Sequence, residues 1–154
     1  MLPLLTILIS LSTGLNTNDT LQLSLTIGDY YDDHYYRKSS YEERTWQIKG
    51  DTLYYQIVIS ARDEIYKDQQ LLSLEQKAYL KEVIKDHYLN KDILINHQDP
   101  HLSKKAYQKQ VKGSLYWQGN HYTYQVKGNS KGVEENPFYR KINALEQALY
   151  KLVE

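Results

Sequence analysis

The stretch YQKQVKGSLYWQGNHYTYQVKG, residues 107–128, decides the fold. Near its middle stands Gly119-Asn120, a two-residue turn signal with Gly in the leading position that a type II′ turn prefers. With those two residues as the loop, Trp117 lies opposite Tyr122, Leu115 opposite Tyr124 and Gly113 opposite Val126. Side chains alternate across a strand, so these pairs share one apolar, aromatic face. The other face carries Tyr116 with Thr123, Ser114 with Gln125 and Lys112 with Lys127. A slip by one residue would mix the two sets, so the pattern specifies which face is which. Gly113 stands among large neighbours and marks a bulge or a close approach by another element.

A second stretch, Tyr41 to Ser60, repeats the pattern around Gly50-Asp51. Here Ile48 opposes Leu53, Trp46 opposes Tyr55 and Arg44 opposes Ile57. Upstream, Leu21 to Ile27 (LQLSLTI) alternates apolar and polar residues and predicts a first strand. Residues 28–40, GDYYDDHYYRKSS, are expected to form a polar, aromatic loop or an irregular strand end. Residues 61–72 are charged, lack Pro and Gly, and are expected to connect across the sheet edge.

Two helices follow from capping and periodicity. Ser73-Leu74-Glu75-Gln76 is a capping box, and a helix is predicted from there to about Tyr88, with Leu80, Val83, Ile84 and His87 or Tyr88 inward. Asn136-Pro137 sets an N-cap and a first-turn proline. After it, Phe138, Ile142, Leu145, Leu149 and Leu152 recur at spacings of three and four. Residues 90–105 are expected to be a loop with an apolar knot at 93–95, and residues 129–135 a turn. The order strand, hairpin, helix, hairpin, helix implies an α+β class. The expected architecture is an antiparallel sheet of about five strands with two helices packed on one face.

The chain has 154 residues, and a domain of that size buries roughly 70% of the surface its unfolded chain exposes. Its 16 tyrosines against one Phe and two Trp make amphipathic rings the main aromatic resource. Nineteen basic residues balance 19 acidic ones, which argues against nucleic acid as the partner. No cysteine is present, so disulfides, thiolate catalysis and zinc–thiolate sites are excluded. Residues 1–18, MLPLLTILISLSTGLNTN, contain no charged side chain. Their apolar part, Leu2 to Leu15, is too short for a stable membrane span and resembles the hydrophobic region of a secretory signal, although it lacks an early Lys or Arg. The expectation is a signal-like leader at 1–18, a single domain at 19–154, and export to the periplasm, the cell surface or the medium.

No catalytic fingerprint is present: G-x-S-x-G, H-E-x-x-H, the P-loop and the dinucleotide motif are all missing, and nothing calls for a cofactor. Tyr30, Tyr31, Tyr35, Tyr36 and Tyr41, with Tyr116 on the outer hairpin face, are candidates for a surface that binds protein, peptide or glycan. Such rings offer contact area at low entropy cost. His97, Asp99 and His101 alternate in NHQDPH and could converge on one metal ion, with His87 as a further donor. Asp29, Asp32, Asp33 and His34 match no calcium loop and are expected to form a solvated acidic turn. The sequence therefore points to a binding or interaction module, with a metal-binding protein or metal-dependent enzyme as the alternative.

Overall fold

The computed structural model describes residues 20–33, 38–97 and 107–154. The segment 1–18 lies outside them. Among the described residues there are seven strands and three α-helices. The strands are β1 (Gln22–Asp33), β2 (Lys38–Lys49), β3 (Thr52–Ile59), β4 (Glu64–Leu71), β5 (Ile93–His97), β6 (Gln108–Trp117) and β7 (Asn120–Asn129). The helices are α1 (Leu74–Asp86), α2 (Ser130–Glu135) and α3 (Pro137–Val153). The strands form one sheet in the order β4-β3-β2-β1-β6-β7-β5. Every pairing is antiparallel except β5 on β7, which is parallel.

The expected antiparallel sheet of about five strands with two helices is thus corrected to a mixed sheet of seven with three helices. Two segments expected to be connectors supply the additional strands. Glu64–Leu71 pairs along its length with β3. It is an edge strand with no apolar alternation, because its side chains are almost all exposed and no buried face is imposed on it. Ile93–His97 is only five residues long and adds to β7 beside Tyr124, Val126 and Gly128. The third helix, α2, occupies the expected turn at 129–135 and is started by Asn129, whose Oδ1 accepts from the Lys131 amide at 3.1 Å. Of the two expectations for 28–40, loop or irregular strand end, the described part is strand, since β1 and β2 stay paired from Leu23↔Ile48 out to Asp33↔Lys38.

The β2–β3 hairpin has the expected register, with Trp46↔Tyr55 and Arg44↔Ile57. The β6–β7 hairpin differs from expectation by two residues. Its loop is Gln118-Gly119, both at positive φ (+51° and +77°), so the turn is type I′ and not II′. Leu115 now opposes Tyr122 and Gly113 opposes Tyr124. A shift of two preserves the faces, because the side-chain period is two. It also places Lys112 against Gln125 rather than Lys127, which removes a like-charge pair. A Cβ on Gly113 would stand 3.1 Å from Leu25 Cδ1 and 3.2 Å from Tyr124 Cδ2, so its bare backbone is the saddle over which those side chains pack.

One face of the sheet carries the core. Leu23, Leu25 and Ile27 of β1, Trp46 and Ile48 of β2, Val111, Leu115 and Trp117 of β6, and Tyr124 and Val126 of β7 alternate inward. They join Leu80 and Ile84 of α1 and Ile142, Leu145 and Leu149 of α3 in one cluster. Trp46 stacks on Tyr55 at 5.5 Å and meets Tyr150 edge-on at 4.7 Å. The Ser73 capping box forms as expected. At its other end α1 closes in a Schellman motif: Tyr88 takes a left-handed conformation, the Leu89 amide donates to Ile84 O, and the Tyr88 amide donates to Lys85 O. Tyr124 Oη then donates to Leu89 O at 2.6 Å and ties the helix end to the sheet. Phe138, expected inward, is exposed, and Tyr139 takes the inner position. The aromatic ring that faces inward is the one whose hydroxyl accepts a hydrogen bond from buried Lys109 at 3.2 Å.

Candidate functional site

The opposite face of the sheet contributes nothing to the core cluster among the described residues. Its side chains come from the other parity of each strand. Ser24 and Thr26 of β1, Thr45 and Gln47 of β2, Gln56 of β3 and Gln110 and Ser114 of β6 cover its centre, all half-buried by their own neighbours. Thr26 and Thr45 hydroxyls are hydrogen-bonded to each other at 3.2 Å. The centre of this face therefore presents hydroxyls and amides, groups that both donate and accept hydrogen bonds, together with the exposed Lys112, which stands opposite Thr26.

Tyrosines stand around this polar field. At one end Tyr30 and Tyr41 lie with ring centroids 6.0 Å apart. The Tyr30 ring folds back along its own strand over Gly28, where a Cβ would come within 2.5 Å of it, and its hydroxyl donates to Glu43 at 3.2 Å. Burial, and then the Glu43 carboxylate, push the Tyr30 hydroxyl pKa up. At the other end stands Tyr116, whose strand position pairs with Gln22. Tyr30 is eight residues along β1 from Gln22, about 26 Å at the usual strand rise. Tyr31 points to the helix side, and its ring lies 4.7 Å from that of Tyr107. The tyrosine set chosen from sequence is thus spread over both faces and both ends. Tyr35 and Tyr36 lie outside the described residues, as does His34.

Between these ends, strands β2, β3 and β4 form a groove of about 480 Å³. Two rungs of the sheet line most of it: Thr45–Gln56–Lys67 and Gln47–Tyr54–Gln69. Tyr54 is 39% exposed and sits between two glutamines. Tyr54 was not among the candidates from sequence, because on the strand pattern it is simply an outward residue beside Tyr55. Its importance depends on β4, which places Gln69 and Lys67 alongside.

A second constellation sits on the helix side, where the strand ends meet α2 and α3. Arg44 donates through Nε to Glu146 (2.8 Å), through Nη1 to Glu42 (2.8 Å) and through Nη2 to Asp29 (2.9 Å). Lys109 Nζ lies 3.0 Å from Asp29 Oδ1 and 2.9 Å from Glu134 Oε1. Burial opposes both cationic charges, yet the surrounding carboxylates more than offset it and hold both pKa values above their ordinary range. Every cation here is fully engaged by anions, so the cluster acts as a tie between the sheet and the C-terminal helices. Sequence reading placed Arg44 in its strand but had no signal for Glu146, which lies 102 residues away.

Of the candidate metal donors, Asp99 and His101 lie outside the described residues. His97 ends β5 exposed, and its imidazole packs on α2 so closely that a Cβ on Gly132 would be 2.3 Å from His97 Cδ2. Among the described residues no group of three His, Cys, Asp or Glu side chains is arranged to hold a metal. No described helix is long and apolar enough to cross a membrane. Comparison with known proteins finds no matching family model and no matching curated protein.

Proposed function

We propose that this chain is an exported, non-enzymatic binding module that engages its partner through the face of the sheet opposite the described helices. One observation carries the reading: a seven-stranded sheet with a complete core on one side offers, on the other, a surface of hydroxyls and amides with scattered lysines, edged by Tyr30, Tyr41, Tyr54 and Tyr116. Exposed aromatics beside adaptable polar groups are the usual composition of recognition surfaces. Export is proposed from the apolar, uncharged residues 1–18. Its test is the intact mass and cell fraction of the native protein: a shortened chain outside the cytoplasm supports it, and a full-length cytoplasmic chain removes it.

The binding claim is tested with Tyr41→Ala, Tyr54→Ala and Tyr116→Ala combined in one chain and applied to arrays of extracellular peptides and glycans. These rings lie outside the core, so the variant keeps the wild-type circular dichroism and unfolding midpoint while losing retained ligands. A folded triple variant that retains every ligand of the wild type would refute the assignment to this face.

A further inference from the structure

The chemistry of the groove across β2, β3 and β4 names a ligand class. This inference rests on the open sheet face being the binding face. We infer that the groove takes a neutral carbohydrate, with Tyr54 as the stacking platform and Gln47, Gln56 and Gln69 as the hydroxyl-reading groups.

Four properties of the groove lead to that class. The two lining rungs, Thr45–Gln56–Lys67 and Gln47–Tyr54–Gln69, contain three primary amides and one aliphatic hydroxyl. Each amide both donates and accepts, and so does every sugar hydroxyl, so neighbouring hydroxyls can be read without any charge. Tyr54 is the middle residue of its rung, with part of its ring open to solvent. A ring with an apolar body and a polar tip matches the apolar C–H face of a pyranose and its polar rim. The volume, about 480 Å³, is within the range of small-molecule sites and has room for roughly one or two sugar rings. The charge is modest and of both signs: Lys67 is the one cation of the two rungs, Lys49 Nζ lies 6.0 Å from the Tyr54 ring centroid, and the neighbouring Asp68 carboxylate accepts from the Gln69 backbone N–H at 2.8 Å. An anionic polymer would need several unpaired cations. A peptide bound by side-chain anchors would need apolar pockets, whereas both rungs are polar apart from Tyr54.

The test uses the full chain and a panel of neutral oligosaccharides of glucose, mannose, galactose and N-acetylglucosamine, read by calorimetry and affinity electrophoresis. At least one member is expected to bind, with an affinity that changes by less than about twofold between low and high salt, since no counterions are released. Tyr54→Ala is expected to weaken it by about tenfold or more, the loss of a single aromatic contact. Gln69→Ala, on the exposed edge strand where folding is not at stake, is expected to weaken it severalfold. Phe138→Ala, an exposed ring on α3, is expected to leave it unchanged. If no sugar binds but a peptide array is retained in a Tyr54-dependent way, the carbohydrate inference is overturned and the binding face stands. If neither sugars nor peptides are retained, or retention ignores Tyr41, Tyr54 and Tyr116 together, both readings fall.

Discussion

Arg44 shows how much of this fold is secured by single side chains. It is a strand residue with three carboxylate partners, and its bond to Glu146 joins β2 to the last helix. Glu146 is 4% exposed at its side chain and Arg44 12%. Removing one partner of a buried pair leaves an uncompensated charge, and such losses run to about 3 kcal/mol or more. Arg44→Ala, which strips the buried Glu146 carboxylate of this cation, is therefore expected to destabilise the protein by about 3 kcal/mol in denaturant unfolding, whereas Glu146→Ala leaves Arg44 paired with Asp29 and Glu42 and should cost less. A double-mutant cycle that shows no coupling between positions 44 and 146 would remove the tie from the account. The indole N–H groups of Trp46 and Trp117 are buried without a hydrogen-bond partner among the described residues. Those two side chains contribute through ring packing alone.

At the scale of elements, the β6–β7 turn carries the sharpest local prediction. Gln118 stands at φ +51°, a left-handed conformation that costs a non-glycine L-residue roughly 1 kcal/mol and that Asn tolerates better. Gln118→Asn creates the Asn-Gly pair favoured by type I′ turns and is expected to raise stability by about 0.5–1 kcal/mol. A type II′ turn at Gly119-Asn120 would instead make position 118 an ordinary strand residue, and Asn there would be neutral or destabilising. The measured sign therefore discriminates between the two registers. Both hairpins, the Ser73 cap and the Asn136-Pro137 start were legible in the sequence, because each depends on residues within a few positions of one another. The hairpin faces were legible for the same reason, while the register was not: shifts of two keep every residue on its face. β4 was hidden because an edge strand exposed on both sides has no alternation to display. β5 was hidden by its brevity, since its strand character comes from β7, about thirty residues downstream by the pairing Ile93↔Tyr124. The groove was illegible for that reason too, as Lys67 and Gln69 join Gln47, Tyr54 and Gln56 only once β4 is recognised as a strand.

At the scale of the whole molecule, the described helices gather on one side of the sheet, and among the described residues none of the core cluster comes from the other side. Alternation makes this division sharp at the centre of the sheet: Leu25 is buried and its neighbours Ser24 and Thr26 are not. The charge tie lies on the helix side and the tyrosine-edged polar field on the other, so the stabilising tie and the proposed recognition surface lie on opposite faces. Changes that abolish binding should therefore leave folding largely untouched. The chain contains no cysteine, which makes single-thiol labelling a clean probe of this division. Single variants Thr45→Cys and Gln56→Cys on the open face, and Ile48→Cys and Leu25→Cys on the covered one, would be compared for their rate of reaction with a thiol reagent under native conditions. The account predicts reaction at 45 and 56 much faster than at 25 and 48, by orders of magnitude if labelling of the covered sites requires opening of the core. Protection at 45 and 56 as strong as at 25 and 48 would mean that the second face is also covered, and the binding surface proposed on it would not exist.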